Sequence, residues 1–271
     1  NNVTLTITDV NGNTSTCVAV VTVEDDIPPT IACPANITAN TEAGMCSATV
    51  NFPMAVALDN CNATVTQTGG LASGSDFPVG VSTVEFTATD DSGNTAVCSF
   101  TITVTDNELP TMVCQNITIQ LDEFGNGSIT AADVDGGSTD NCGIASISVS
   151  PNTFDCSDVG DNPVILTVTD IHGNSNTCTA IVTVEDNIAP VATAQNITVQ
   201  LNANGSATIT AADVNNGSSD SCGIASLAVS QTEFTCSNVG ANTVTLTVTD
   251  NNGNVSTATA VVTVEDRKRV V

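Results

Sequence analysis

The stretch V-I-L-T-V-T-D-I-H-G-N-S-N-T-C-T-A-I-V-T-V-E-D, residues 164–186, decides the fold. Val164, Leu166 and Val168 alternate with Ile165, Thr167 and Thr169. Further on, Cys178, Ala180, Val182 and Val184 alternate with Thr179, Ile181, Thr183 and Glu185. A period of two in β-branched residues is the mark of half-buried strands, one face to a core and one to water. Between the two runs stands D-I-H-G-N, a turn in which Gly173 is free to take positive φ. The stretch therefore predicts a β-hairpin.

The hairpin returns at residues 3–25, 82–106 and 244–266, and its turn aspartate falls at Asp9, Asp90, Asp170 and Asp250. These positions are 81, 80 and 80 residues apart. The chain divides into the C-terminal part of a truncated module (1–30) and three full modules (31–111, 112–191 and 192–271). Upstream of each hairpin further short strands are expected, for example in Q-N-I-T-I-Q-L (115–121), S-I-T-A-A-D-V (128–134) and I-A-S-I-S-V-S (144–150). Five to seven strands in about 80 residues, without helical periodicity, predict an all-β protein of tandem immunoglobulin-like β-sandwich modules. Short acidic links containing proline (24–30, 106–111 and 185–191) join them. At about 33 Å per ten-residue strand, the modules are expected to form an extended rod on the order of 100 Å or more.

Charge removes whole classes of function. The chain of 271 residues has 29 Asp and Glu against 3 Lys and Arg, all three of them in Arg267-Lys268-Arg269. Such a chain cannot neutralise phosphates, so no nucleic acid is expected as a partner. Nor is an anionic membrane surface, and no run of 18 apolar residues suggests direct membrane insertion. At 41% hydrophobic residues the modules can build cores, and with only 3% aromatics those cores are expected to be aliphatic and thin. The basic tail replaces the acidic link expected there. His172, in a hairpin turn, reads as a surface residue. Sequons are frequent, for example at Asn36, Asn62, Asn116, Asn196 and Asn254; many are expected by chance in a chain rich in Asn and Thr, and they matter only where the host glycosylates them.

Eleven cysteines suggest an oxidising, extracellular setting. Comparison between repeats predicts pairs. Eighty residues after Cys114 and Cys178 stand Ala194 and Ala258, so both members vanish together. This pairs Cys114 with Cys178 and, by position, Cys33 with Cys98. Elimination then pairs Cys46 with Cys61, Cys142 with Cys156 and Cys222 with Cys236. Cys17 occupies the Cys98 position of the first, partial unit and is expected to be left unpaired by truncation, the chain reading as a fragment of a longer secreted protein.

The module 31–111 resembles a hyalin repeat (HYR) in Cys33-Pro34, Asp59-Asn60-Cys61, F-P-V-G at 77–80, T-A-T-D-D-S-G-N at 87–94 and C-S-F-T-I-T-V-T-D at 98–106. The later modules keep the D-x-C and T-D-x-x-G-N signatures and lose F-P-V-G. The resemblance implies an immunoglobulin-like module found in tandem in extracellular adhesion proteins. Strings of such modules are similar to the giant surface adhesins and appendages that Bacteroidota export by the type 9 secretion system, and also to animal matrix proteins.

The acids gather at the links: Glu24, Asp25 and Asp26; Asp106 and Glu108; Glu185 and Asp186. In an immunoglobulin-like sandwich the last hairpin turn lies beside the preceding link. Asp90 is therefore expected near Asp25 and Asp26, Asp170 near Asp106 and Glu108, and Asp250 near Asp186. The D-x-C aspartates Asp59, Asp140 and Asp220 are expected to join them. Clustered carboxylates are hard oxygen ligands suited to Ca²⁺, and E-D-N-x-x-P resembles the interdomain calcium linker of cadherins. The plainer reading is that Asp and Asn favour turns and that acidic links are solvated.

No His–nucleophile pair, phosphate loop or oxyanion-holding base precedes residue 267, so no enzyme is expected. A calcium-dependent carbohydrate- or cell-binding module is the alternative, although Trp and Tyr, the usual sugar platforms, are absent. The favoured expectation is a secreted structural stalk or filament. Its partners would be other modules of the same long chain, or identical rods packed side by side as a homo-oligomeric filament.

Overall fold

Alternation at period two buries an apolar face wherever that face finds a partner sheet, and the computed structural model shows this in the three full repeats. It describes residues 1–266; the basic tail Arg267–Arg269 lies outside the described residues. Two compact units are described separately: residues 1–109 with 140–143, and residues 110–139 with 144 onward.

The first unit opens with an antiparallel hairpin of β1 (Asn2–Thr8) and β2 (Thr14–Val20). Eight strands follow: β3 (Thr30–Ala32), β4 (Ile37–Asn40), β5 (Ser47–Val50), β6 (Val56–Leu58), β7 (Ala63–Gly69), β8 (Ser75–Pro78), β9 (Gly80–Asp90) and β10 (Thr95–Thr105). One layer is a four-stranded sheet in the order β4-β10-β9-β7, in which β4 runs parallel to β10 and the other pairs are antiparallel. The pairs β3-β6 and β5-β8 form the second layer.

In the second unit the same plan occurs twice. The first copy has β11 (Ile117–Gln120), β12 (Asn126–Ser128), α1 (Ala131–Val134), β13 (Ile144–Ser150), β14 (Thr153–Asp155), a 3₁₀ turn (Cys156–Asp158), β15 (Gly160–Asp170) and β16 (Ser175–Glu185). The second has β17 (Ile197–Gln200), β18 (Ser206–Thr208), α2 (Ala211–Val214), β19 (Ile224–Val229), β20 (Glu233–Thr235), a 3₁₀ turn (Cys236–Asn238), β21 (Gly240–Asp250) and β22 (Val255–Glu265). Their sheets run β11-β16-β15-β13 and β17-β22-β21-β19, again with the first pair parallel.

Val164, Leu166, Val168, Ala180, Val182 and Val184 are buried, as the alternation requires. The strand expected in S-I-T-A-A-D-V is only partly one. It stops at Ser128, and Ala131–Val134 form a single helical turn. Asp133 Oδ2 accepts from Thr130 N (2.6 Å) and Thr130 Oγ1 (2.7 Å), a capping arrangement that turns the chain and drives Val134 into the core. The expected aliphatic core holds in the second unit, where each sandwich buries one phenylalanine, Phe154 or Phe234. The first unit departs from it. Phe52, Phe77, Phe86 and Phe100 form one cluster, with the Phe52 and Phe100 rings 5.2 Å apart. The small total of aromatics conceals this because more than half of them are placed together.

Cys33–Cys98 and Cys114–Cys178 are bonded as expected, with Cα–Cα distances of 5.8 and 6.1 Å. The pairs obtained by elimination are not formed. Cys46 is bonded to Cys142, whose loop, residues 140–143, belongs with the first unit, and Cys156 is bonded to Cys222. Cys17, Cys61 and Cys236 are free and exposed. The physical reason is distance. Each repeat has a leading end, where the preceding link and the last hairpin turn lie, and a trailing end opposite. Cys142 precedes β13, which starts opposite Asp170, while Cys156 follows β14, past the far end of that strand. Seven residues of strand span roughly 23 Å, and a disulfide tolerates less than about 7 Å between Cα atoms. Cys46 and Cys61 are separated in the same way, near Thr105 and near Asp90 at opposite ends of β10.

Candidate metal centre at the leading end of each repeat

The D-x-x-G-N hairpin turn builds the site. In the second unit, Asp250 Oδ1 accepts from the backbone N–H groups of Asn252 (2.9 Å) and Asn254 (2.8 Å), and its Oδ2 accepts from Asn254 Nδ2 (2.9 Å). Asn254 Nδ2 also donates to the carbonyl of Asp186 (2.9 Å), which clamps the link to the turn. The first unit repeats this: Asn94 Nδ2 donates to Asp90 Oδ2 (2.8 Å) and to the carbonyl of Asp25 (2.8 Å). The hairpin turn thus does lie beside its link, but asparagine makes the contact. The carboxylates of Asp90 and Asp250 are occupied by their own turns. Burial pushes the Asp250 carboxyl up, and the hydrogen bonds from Asn254, Asn252 and Gly253 outweigh it, so the net shift is downward. Asp90 and Asp170 follow the same balance.

The link aspartate and the D-x-C aspartate come together. Carboxylate oxygens of Asp25 and Asp59 lie within 4.8 Å of each other and of Cys61 Sγ. Asp186, Asp220 and Cys222 form the same group in the second unit, and Asp106 and Asp140 approach within the same limit in the first. In each D-x-C loop the aspartate accepts from the cysteine N–H, at 2.9 Å for Asp59, 2.9 Å for Asp140 and 2.8 Å for Asp220. The link aspartate caps the N–H two residues on, at Ile27 (3.2 Å), Glu108 (3.2 Å) and Ile188 (3.1 Å). One oxygen of each carboxylate is therefore spent. Asp59 Oδ1, Asp140 Oδ2 and Asp186 Oδ2 are buried atoms with no hydrogen-bond partner, and Asp25 has the Cys61 thiol beside it. The Asp25 carboxylate beside Cys61 holds that thiol above its ordinary value.

Other expected ligands stand apart from this arrangement. Glu185 Oε2 accepts from Gln120 and Asn187 on the exposed end of β16. Glu108 Oε2 takes the Gly44 N–H at 2.9 Å. Asp26 is exposed and, with Glu24, lines a shallow depression beside Ser92 and Asn94.

Sequence reasoning missed the asparagines. Besides the turn residues, Asn36, Asn116 and Asn196 each accept a last-strand N–H through Oδ1, at 3.0, 2.8 and 2.8 Å. Their recurrence at one position of every repeat was the available signal. These sequons are structural parts of the fold.

The HYR domain family matches residues 24–104 and 105–184. This chain belongs to that family. Hyalin of Strongylocentrotus purpuratus is 32% identical over 282 residues, covering 97% of this chain and 23% of that protein. Hyalin of Lytechinus variegatus is 33% identical over 150 residues, covering 54% of this chain and 28% of that protein. The chain thus spans about a quarter of the length of these HYR relatives. Among solved structures, the protocadherin fragment PcdhgB3 EC1-4 aligns with 99% of this chain and 83% of its own at 12% identity, with a TM-score of 0.38. No described helix of the HYR chain is long and apolar enough to cross a membrane.

Proposed function

We propose that this chain is the structural repeat region, a stalk or filament, of a large extracellular adhesin or appendage of the kind exported by type 9 secretion, with calcium held at the leading end of its repeats. The carrying observation is the recurrence of one site. The pairs Asp25 with Asp59, Asp106 with Asp140 and Asp186 with Asp220 repeat once per module, which suits a building element rather than a unique catalytic or sugar-binding cleft. Four disulfides suit an oxidising, extracellular compartment.

The calcium reading rests on charge. Each pair sets two carboxylates side by side, one oxygen or more of which is buried without a donor. No Lys or Arg exists before residue 267 to offset them. A hard divalent cation supplies the missing charge and accepts oxygen ligands from carboxylates, carbonyls and water. The sulfur of Cys222 is spent in a disulfide and is no ligand. Calcium would fix each link against the D-x-C loop that follows it. The chain's own residues do the rest: Asn94 and Asn254 hold the link carbonyls, and the Asp hairpins hold the asparagines.

The experiment is thermal unfolding followed by far-UV circular dichroism, in millimolar calcium and in chelator. A rise in Tm with calcium that disappears in the double variant Asp186→Asn, Asp220→Asn is expected. An unchanged Tm in the parent chain would sink the calcium reading.

A further inference from the structure

Cys61 and Cys236 have the same surroundings as cysteines that are bonded elsewhere in this chain. Cys61 stands in the D-x-C loop, as Cys142 and Cys222 do, with its N–H held by the preceding aspartate. Cys142 and Cys222 are each bonded to a cysteine at the trailing end of the preceding repeat, Cys46 and Cys156. Cys236 in turn copies Cys156. Both open a 3₁₀ turn, and both place Sγ 3.8 Å from a glycine carbonyl, Gly205 or Gly125.

The glycine beside each cysteine marks the two positions as equivalent. Gly125 has φ of 77°, and a Cβ there would meet Cys156 Sγ at 2.6 Å, Ser221 Cβ at 3.5 Å and Cys222 Sγ at 3.6 Å. Its φ and the Cys156 sulfur require glycine there, and the D-x-C loop of the next repeat packs on the same spot at ordinary contact distance. Gly205 keeps the same conformation, φ 75°, and a Cβ there would meet Cys236 Sγ at 2.8 Å and nothing else within 4 Å.

We infer that HYR modules of this type are joined by a disulfide relay, in which the trailing-end cysteine of one repeat pairs with the D-x-C cysteine of the next. Cys236 is the site for the D-x-C cysteine of a following HYR module, and Cys61 is the site for the trailing-end cysteine of a preceding one. The relay stands apart from the calcium reading. Bond formation consumes a small-molecule disulfide such as oxidised glutathione. One thiolate attacks it to give a mixed disulfide and a first reduced thiol. The second cysteine displaces the other half as a second reduced thiol, and both cysteines end oxidised.

The test extends the whole chain by a second copy of residues 187–266 placed after Asp266, folded with oxidised and reduced glutathione. Thiols are counted by maleimide mass shift. The parent chain has three free cysteines, Cys17, Cys61 and Cys236. The extended chain adds two, and the relay keeps the count at three, with a cross-linked peptide joining Cys236 to the added D-x-C cysteine. A count of five, or Cys236 bonded to any other cysteine, overturns it. A second variant needs no added module: in Cys156→Ser the relay leaves Cys222 as a fourth free thiol. A Cys222–Cys236 bond there would overturn the pairing rule.

Discussion

Cys156 at the trailing end of one repeat is bonded to Cys222 in the D-x-C loop of the next, their Cα atoms 5.1 Å apart. The loop it closes spans 66 residues, so in the chain-entropy model the bond contributes about 4 kcal/mol. The double variant Cys156→Ser, Cys222→Ser is expected to lower the denaturant midpoint of the second unit by a corresponding amount. Circular dichroism is the probe, since the chain has no Trp or Tyr. An unshifted midpoint would mean that the reduced chain already keeps these loops together.

The third repeat has alanines where the other two have the sandwich staple. Ala194→Cys with Ala258→Cys restores the positions of Cys114 and Cys178. The pair is expected to oxidise spontaneously and to add up to about 4 kcal/mol. Two additional maleimide-reactive thiols after refolding would show that the repeat has diverged too far.

Acid should loosen the hairpin turns. The Asp250 carboxyl is held below its ordinary value by its turn, net of burial. A depressed carboxylate contributes stability that is full above the unfolded-state value, near 3.9, and is lost as pH falls through the folded value. Melting temperature should therefore hold from neutral pH down to about 5 and decline below about 4. Asp250→Ala leaves the Asn252 and Asn254 backbone N–H groups without their acceptor and Asn254 Nδ2 with the Asp186 carbonyl alone, and should cost about 1–3 kcal/mol at neutral pH. A variant as stable as the parent would show that water replaces the carboxylate freely.

Core phenylalanines should differ from surface ones. Phe234 is fully buried, whereas Phe124 is 73% exposed. Phe234→Ala is expected to cost about 3–5 kcal/mol, and Phe124→Ala less than about 0.5 kcal/mol. Equal effects in chemical denaturation would contradict the layer assignment.

Strands and their facing were legible because alternation is a local property: Val164 to Val184 sorted themselves into buried and exposed without outside help. The two sandwich staples were legible because Ala194 and Ala258 vary together. The relay cysteines were not. Their pairing depends on which end of a sandwich a loop occupies, and spacing along the chain does not carry that. The helical turn at Ala131–Val134 was signalled by T-A-A-D, which the flanking alternation masked. At the site, the paired acids Asp25 with Asp59 and Asp186 with Asp220 were readable from the repeat. The role of Asp250 was not, because its hydrogen bonds go to neighbours two and four residues away and leave no oxygen over.

The parallel pairing of β11 with β16 has a mechanical consequence. Tension drawn through the two ends of this module pulls β11 toward its start and β16 toward its finish. Parallel pairing alone would load their hydrogen bonds together in shear instead of one after another, as in a zipper, but Cys114 precedes β11 and Cys178 lies within β16, so the disulfide takes the load first. The Cys114–Cys178 bond, which spans a sequence separation of 64, carries the load past the residues it encloses. That withholds on the order of 220 Å of slack from a stretched chain. The following module pairs β17 with β22 in the same sense but lacks the bond. Under a steady pull it is the one expected to lengthen, so a single strand of repeats combines stops of fixed length with one extensible link.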